Sequence, residues 1–588
     1  MGKRLNLYYI KYIYLFIIGA FALVLVDIYQ LRVPRIIGKV VDGLSDNTLT
    51  QSILKDFLWD MIIIIIIMAI GRFLWRAAIM GVAHLIEWDL KRKMYDKVVD
   101  LPLEYYVRNQ SGNILSHFTS DSRVIRQWFG GGTLMIVDAT FLGIYTFYRM
   151  IRLNLTLALL SIIPLFVIAL ISGIVGHYMN LKFLENQKAY DELSSYSEET
   201  FRGLFVIKAF VREALELKRF ARINKNNHDK NLTFNKYSVM LNVLTEVLVW
   251  SIGAIIIGYG GYLAYRYKVD SVGDFTPGDL TVFFSYFVTM TWPMFAVSRL
   301  IDMRAQAKAS AKRINALFDE DLKVYDLPNA KDIDILGDSI KIKNLSFAYP
   351  DDPSKYVLKD VSLEIGRGEL VGFIGKTGSG KSSIFDLLLR FYNLDHNMIY
   401  LDGNDIMDIK IRNVRHSIGY VDQENFLFSD SIINNVSFSE ENEIDIKKVE
   451  EATKYANVYD SVLRFDNSFD TILGERGVTI SGGQKERLSI SRALYHDPKI
   501  LILDDSLSAV DAKTEKEIIH MVKEQRKDRI TLLSSNRISS IKNASKIVVL
   551  NNGMIEAIGT HEELLKSSKT YSEINSLQSL DGGDFDAE

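Results

Sequence analysis

The sequence predicts a membrane α-helical domain of six spans, with long extensions beyond the bilayer, followed by an α/β domain. Three observations carry that prediction. Hydrophobic residues make up 48% of the 588 positions, but the long uncharged runs are confined to the first half of the chain. The connections between those runs alternate between short and long. The loop "GKTGSGKS" lies between an apolar run and a helical pattern in the second half.

A membrane helix needs ~20 mostly apolar residues. The candidates are Tyr12–Val33, Phe57–Met80, Leu134–Ile151, Leu155–Tyr178, Val239–Ala264 and Leu280–Leu300. The start, "MGKRLNLYYIKYIYLF", turns from basic to apolar as a signal peptide does, but no small-residue cleavage site follows. It therefore reads as a retained first span. "MIIIIIIMAI" in the second span has no polar face and suits lipid better than a soluble core. Little more than "RLN" joins the third and fourth spans, and a short segment around "YRYKVDSVGDFTPGD" joins the fifth and sixth. The connections from about Gly81 to Gly132 and from Met179 to Tyr237 are long and basic.

Positive residues mark the cytoplasmic side. Lys3, Arg4 and Lys11 place the N-terminus there. Lys91–Lys93, Arg123 and Arg126 do the same for the first long arm, and Lys208, Arg212, Lys218, Arg219 and Arg222 for the second. Six crossings then return the C-terminal half to the cytoplasm. Both arms carry apolar residues at helical spacing, and twenty residues of helix reach ~30 Å. They read as levers rather than solvated loops, turning near Asn109–Ser116 and Gly203–Val211. The expected organisation is a membrane domain over 1–310, a linker over 311–339, an α/β domain over 340–575 and an acidic, disordered tail over 576–588.

From "IKIKNLSFAYP" onward, short β-branched runs alternate with glycine turns and helices. Gly375, Lys376, Thr377, Gly378, Ser379, Gly380, Lys381, Ser382 and Ser383 follow an expected strand and open a helix. Such a loop presents backbone N–H groups and a helix start to phosphate oxygens. Lys381 reaches the β- and γ-phosphates and the Ser382 hydroxyl ligates magnesium, so ATP and Mg2+ are the expected cofactors. "KILILDD" is continuously apolar, the pattern of a strand covered on both faces. It ends in Asp504, placed to hold the magnesium, with Asp505 where a base would meet the attacking water. Ser481, Gly482, Gly483 and Gln484 open an amphipathic helix and form a second anion-binding helix start. Two such starts are puzzling for one nucleotide in one domain.

At this point the chain resembles the ABC transporters, whose signature is this "SGGQ". The resemblance covers almost the whole chain. It implies a dimer, because in that family the signature of one domain closes over ATP held on the partner's P-loop. Tyr349 matches the aromatic that stacks on adenine, and Gln423 the loop residue that contacts magnesium and senses the membrane domain. "LGERG" (Leu473–Gly477) looks like the X-loop of exporters, and Ser508–Asp511 like the D-loop. Six spans fused ahead of one such domain, with "GLFVIKAFVRE" in the second arm, resemble a bacterial exporter half-transporter of type IV fold.

Two positions depart from the family pattern. Asp505 stands where a glutamate is usual, and Asn536 where a histidine is usual before Arg537. A carboxylate pulled back by roughly 1.5 Å exceeds the ~0.5 Å tolerance of catalytic placement. An asparagine can bond a phosphate but cannot carry an imidazolium charge. Together they imply a site that binds ATP and hydrolyses it slowly. The intact signature implies a different sister chain whose competent site it completes, as in heterodimeric multidrug exporters; an unusual homodimer is the alternative.

Net charge is −3 and the isoelectric point about 6.4, so nucleic acid is not an expected partner. No cysteine is present, which excludes disulfides and thiolate chemistry. Ionisable residues inside spans are functional candidates: Asp138, Glu246 and Asp27. With Trp250, Trp292, Phe284 and Phe287 they outline a path for cationic amphipathic compounds, against the plainer expectation that the acids pair between helices. Arg72 and Arg76 read as snorkelling or structural, and Pro293 permits a kink in the sixth span. The expected function is ATP-driven export of hydrophobic compounds across the cell membrane. A lipid or peptide exporter, an importer built on the same fold and a nucleotide-gated channel are the rivals.

Overall fold

The structure is a computed structural model, and it describes residues 2–440, 442–474 and 480–581; within them the side chains of Lys3, Ile162, 165–177, Asn180, Ser298, Leu580 and Asp581 are not described. The chain forms two compact units, one of residues 1–96 with 112–319 and one of residues 97–111 with 320–588.

The first unit is helical throughout. Its long helices are α1 (Ile13–Gln30), α2 (Gln51–Trp75), α3 (Thr133–Leu153), α4 (Leu155–Arg202), α5 (Glu213–Ile255) and α6 (Pro277–Asp319). Among the described residues, five helical stretches are long and apolar enough to cross a membrane: Ile13–Ser45, Gln51–Val99, Ser111–Leu153, Glu213–Asp270 and Pro277–Asp319. Five expected spans lie on these. The fourth, Leu155–Tyr178, falls on α4, where the side chains of 165–177 lie outside the described residues.

Ile62, Ile63, Ile65, Ile66 and Ile70 of α2 are all exposed, a face that only lipid or another apolar partner can cover. Leu142, Ile252, Phe283 and Tyr286 form a core between helices. Asp42 caps the start of α6, accepting from the Gly278 N–H at 2.7 Å and the Thr276 hydroxyl at 2.9 Å. That helix continues through Pro293 without a break. It also extends over the first part of the expected linker, because Ala311, Ile314 and Leu317 recur at helical spacing and are buried. The second arm turns at Gly203 into a short helix, Leu204–Ala209. Phe201, Phe205, Phe210 and Val211 around it are exposed, Phe205 by 89%.

The second unit is built on two sheets. Strands β1 (Ser339–Ala348), β2 (Tyr356–Gly366), β4 (Ile399–Leu401) and β5 (Asn404–Asp405) form an antiparallel sheet in the order β2-β1-β4-β5. Strands β3 (Leu370–Ile374), β6 (Ile418–Val421), β7 (Ile500–Asp504), β8 (Ile530–Ser534), β9 (Lys546–Asn551) and β10 (Met554–Gly559) form the other, in the order β10-β9-β3-β8-β7-β6. β3, β7 and β8 are buried at every position, as continuously apolar parallel strands require. Within this unit the segment 97–111 is tied to residues 320–323. Lys323 donates to both oxygens of buried Glu104 at 2.8 and 2.9 Å, and Arg108 to Glu320 at 2.9 Å.

The last helix, α10 (Lys569–Asp581; α7 to α9 are placed below), corrects one expectation. Residues 576–581, read from sequence as a disordered tail, continue this helix, and 582–588 lie outside the described residues. The physical reason is its anchoring. Tyr571 is fully buried and Ile574 packs against the same core, a three-residue spacing that puts both on one helix face. Glu556 of β10 holds the start of the helix. It accepts from the Ser568 hydroxyl at 2.7 Å, the Thr570 N–H at 3.1 Å and the Thr570 hydroxyl at 2.5 Å. Burial opposes its ionisation, but these bonds outweigh burial and hold its pKa down to about 2. The stability this lends is present above the usual carboxylate pKa and lost as pH falls towards about 2. Glu556→Gln is therefore expected to speed hydrogen exchange of the α10 amides roughly fivefold at neutral pH. That corresponds to about 1 kcal/mol after allowance for solvent screening.

Candidate nucleotide site

The loop Gly375–Gly380 joins β3 to helix α7 (Lys381–Leu388). Its first glycine is a steric requirement: a Cβ at Gly375 would lie 2.2 Å from the Leu550 carbonyl oxygen. Gly378 and Gly380 take φ of +81° and +102°, which L side chains rarely adopt. Tyr349, Thr377 to Ser383, Gln423, Asp504, Asp505, Ser534 and Asn536 line one cavity of about 570 Å³. The structure thus brings together nearly all the residues expected from sequence to hold nucleotide and metal; Gly375 and Lys376 flank the cavity in the same loop. The Tyr349 hydroxyl lies 2.8 Å from that of Ser383, so the aromatic stands at the cavity wall.

Asp504 ends β7 opposite Ser534 of β8 and is 2% exposed. The Ser534 hydroxyl donates to Asp504 Oδ1 at 2.5 Å, which aims the carboxylate. Ser382, Gln423 and Asp504 offer a hydroxyl, an amide and a carboxylate, the all-oxygen donor set that magnesium prefers. These residues fit the ion. When bound, it neutralises charge on the β- and γ-phosphates. Ser379 supplies a further mark of a ligand site, since its buried hydroxyl has no hydrogen-bond partner.

Asp505 sits in a left-handed turn with φ of 44°, and its N–H donates to the Ser534 carbonyl at 3.1 Å. Its side chain is tethered: Asn536 Nδ2 donates to Asp505 Oδ2 at 3.0 Å, and Lys381 Nζ donates to Asn536 Oδ1 at 3.2 Å. Lys381 also donates to the Gly375 carbonyl at 2.8 Å. Burial pushes the Lys381 amine below its ordinary pKa, and the Asp505 and Asp504 carboxylates oppose that. Burial raises the Asp505 carboxyl, against the bond from the Asn536 backbone and the Lys381 charge. The amide at position 536 therefore bridges the two charged groups at the floor of the cavity.

Ser481 caps helix α8 (Gly482–Tyr495) in a capping box: the Gln484 N–H donates to the Ser481 hydroxyl at 3.3 Å, and the Ser481 N–H to Gln484 Oε1 at 3.0 Å. None of Ser481 to Gln484 lines the cavity holding Lys381. A Cβ at Gly483 would lie 3.2 Å from the Ala509 carbonyl oxygen, so the D-loop packs directly beneath the signature. Glu486 of α8 accepts from the Ala509 N–H at 3.0 Å. Arg537 donates to the Ser508 carbonyl at 3.0 Å and to Glu515, in helix α9 (Ala512–Gln525), at 3.2 Å. The "LGERG" loop ends among residues 475–479, outside the described residues.

In the helical unit, Trp292 of α6 donates its indole N–H to Asp138 of α3, and Asp27 of α1 lies near Asp138 with its Oδ2 lacking a hydrogen-bond partner. Asp27 and Asp138 are buried. Glu246 and Trp250 stand one turn apart on α5, both exposed. Of the residues expected along the path, Asp138 and Trp292 thus meet, whereas Glu246 and Trp250 do not join them. Sequence reasoning missed Ser534 and Glu486 and gave Arg537 no role. Ser534 alone had a signal, since the parallel pairing of "ILILD" with "ITLLS" sets it beside Asp504.

Residues 16–294 match the family described as ABC transporter transmembrane region, and residues 358–508 that described as ABC transporter. A probable multidrug resistance ABC transporter ATP-binding/permease protein, YheI of Bacillus subtilis, is 32% identical over 98% of this chain and 97% of its own length. A multidrug resistance-like ATP-binding protein, MdlA of Escherichia coli, is 29% identical over 97% of this chain and 95% of its own. A putative multidrug export ATP-binding/permease protein of Staphylococcus aureus is 32% identical over 95% and 97%. The structure of a bacterial Atm1-family ABC exporter with ATP bound superposes with a TM-score of 0.77, covering 97% of this chain and 99% of that one at 23% identity.

Proposed function

Because the chain belongs to the ABC transporters, with the transmembrane region fused ahead of the ATP-binding domain, we propose that it is the degenerate-site half of a two-chain exporter. ABC exporters work as dimers in a lipid bilayer, and the ATP-binding domain makes this chain an ATPase coupled to transport. Three finer statements are our reading. The sister chain is different and related; the cargo is hydrophobic or amphipathic compounds moved out of the cell; the N-terminus and the ATP-binding domain face the cytoplasm.

The observation that carries the asymmetry is the chain Lys381–Asn536–Asp505. An amide holds the shortened carboxylate against the lysine that would meet the γ-phosphate, and unlike an imidazole that amide takes up no proton. Ser481 to Gln484 are intact and capped, ready to close a nucleotide held elsewhere. The exposed apolar tip around Phe205 supports a partner, since water is a poor cover for it. The names of the relatives support multidrug cargo.

ATP closes the two domains on both sites. The sister site hydrolyses, and this chain's pocket holds its nucleotide through the cycle. The test is the ATPase rate of the purified chain alone against that of the chain assembled with its sister. We expect the lone chain to run at least tenfold slower; comparable rates would refute the asymmetry.

A further inference from the structure

The segment taken from sequence as a tail reaches the nucleotide site. Tyr571, Ile574 and Gln578 lie on one face of α10, at the three- and four-residue spacing of a helix. The first two anchor in the core. The third ends on the loop that carries Asn536: Gln578 Nε2 donates to the Asn536 carbonyl at 2.6 Å, and the Ile538 N–H donates to Gln578 Oε1 at 2.9 Å. One amide thus satisfies a backbone acceptor and a backbone donor two residues apart. This is a register-specific clamp, since a shift of the loop by one residue would break both bonds. From the same helix, Glu573 lies 3.8 Å from Lys376 of the phosphate loop. That pair is exposed and adds little.

We infer that Gln578 is a positioning residue for nucleotide retention: it fixes the Asn536 backbone so that the Asn536 side chain can bridge Lys381 and Asp505. The inference rests on the reading that nucleotide is held on the Lys381 pocket. The chain of contacts runs from Gln578 to the Asn536 carbonyl, from the Asn536 amide to Lys381 and Asp505, and from Lys381 to the phosphates. If the clamp is lost, the Asn536 side chain samples other rotamers and Lys381 loses a fixed acceptor. Nucleotide then leaves faster, although Gln578 itself touches no ligand.

The experiment uses the full-length chain in nanodiscs with a fluorescent, non-hydrolysable ATP analogue and Mg2+, released by an excess of ATP. Gln578→Ala is expected to speed release roughly three- to tenfold, the scale of one or two lost hydrogen bonds. Gln578→Glu keeps the acceptor for Ile538 but not the donor for Asn536, and is expected to fall between. Asn536→Ala should speed release as well, and adding Gln578→Ala to it should change nothing further, because both act through one side chain. Exchange of the Ile538 amide, followed in parallel, should quicken in Gln578→Ala while the melting temperature stays within a degree or two. Release at the wild-type rate, or an undiminished Gln578→Ala effect in the Asn536→Ala background, would overturn the inference. The analogue removes hydrolysis from the readout, so brisk ATPase in the lone chain, which would sink the preceding proposal, leaves this comparison standing.

Discussion

Replacing Asp505 by glutamate and Asn536 by histidine together is expected to raise ATP turnover of the purified chain by roughly two orders of magnitude, the lower end of what a placed general base contributes. Concentrations that favour self-association supply the intact signature of a second copy. The geometry says why both changes are needed. Asp505 leaves the strand in a left-handed turn pinned by Ser534, so its backbone cannot advance to compensate for the missing methylene. The side chain is also occupied, because Asn536 donates to Oδ2 and Lys381 donates to Asn536. Glutamate alone restores reach but meets the same amide, and histidine alone supplies a titratable ring beside a carboxylate that is too short. Each single change is expected to gain less than tenfold, and the two to combine more than multiplicatively, as groups in one hydrogen-bonded network do. A double variant no faster than its parent would mean that the slow step lies elsewhere.

What could be read in the sequence follows how local each signal is. The phosphate loop and Asp504 were legible because a strand, a glycine turn and a helix start are consecutive in the chain. The spans were legible because lipid demands continuous apolar length. The Asp505–Asn536 departures could be named, but their consequence was open, since contact between residues 31 positions apart depends on β7 and β8 lying side by side. Gln578 was hidden for a different reason. In "YSEINSLQSL" only Tyr571 and Ile574 are strongly anchored, and the acidic residues beyond them pull the composition towards disorder. The Asp27–Asp138–Trp292 cluster draws on three helices, and helical period alone does not say which faces meet.

If this chain pairs with a sister chain as proposed, Gly483→Asp in that complex is expected to cut ATP turnover by at least roughly a hundredfold, the loss typical of removing a fixed donor to a transition-state oxyanion. It should leave nucleotide binding on this chain's own pocket within about twofold, because none of Ser481 to Gln484 lines that pocket. The substitution acts in two ways. A side chain at 483 pushes against the Ala509 carbonyl 3.2 Å away, displacing the D-loop that Glu486 and Arg537 hold. A carboxylate at the start of α8 also fills with negative charge the place where the helix dipole and its free N–H groups would receive phosphate. Ser481→Ala is the milder probe: it removes the cap, worth about 1 kcal/mol, and one hydroxyl, so a fall of roughly tenfold is expected. The contrast with Lys381→Ala separates the two sites. That change should abolish nucleotide binding on this chain's pocket while the sister site keeps a measurable rate. If Gly483→Asp left turnover within threefold of the parent, the signature of this chain would not be closing over the nucleotide that is consumed.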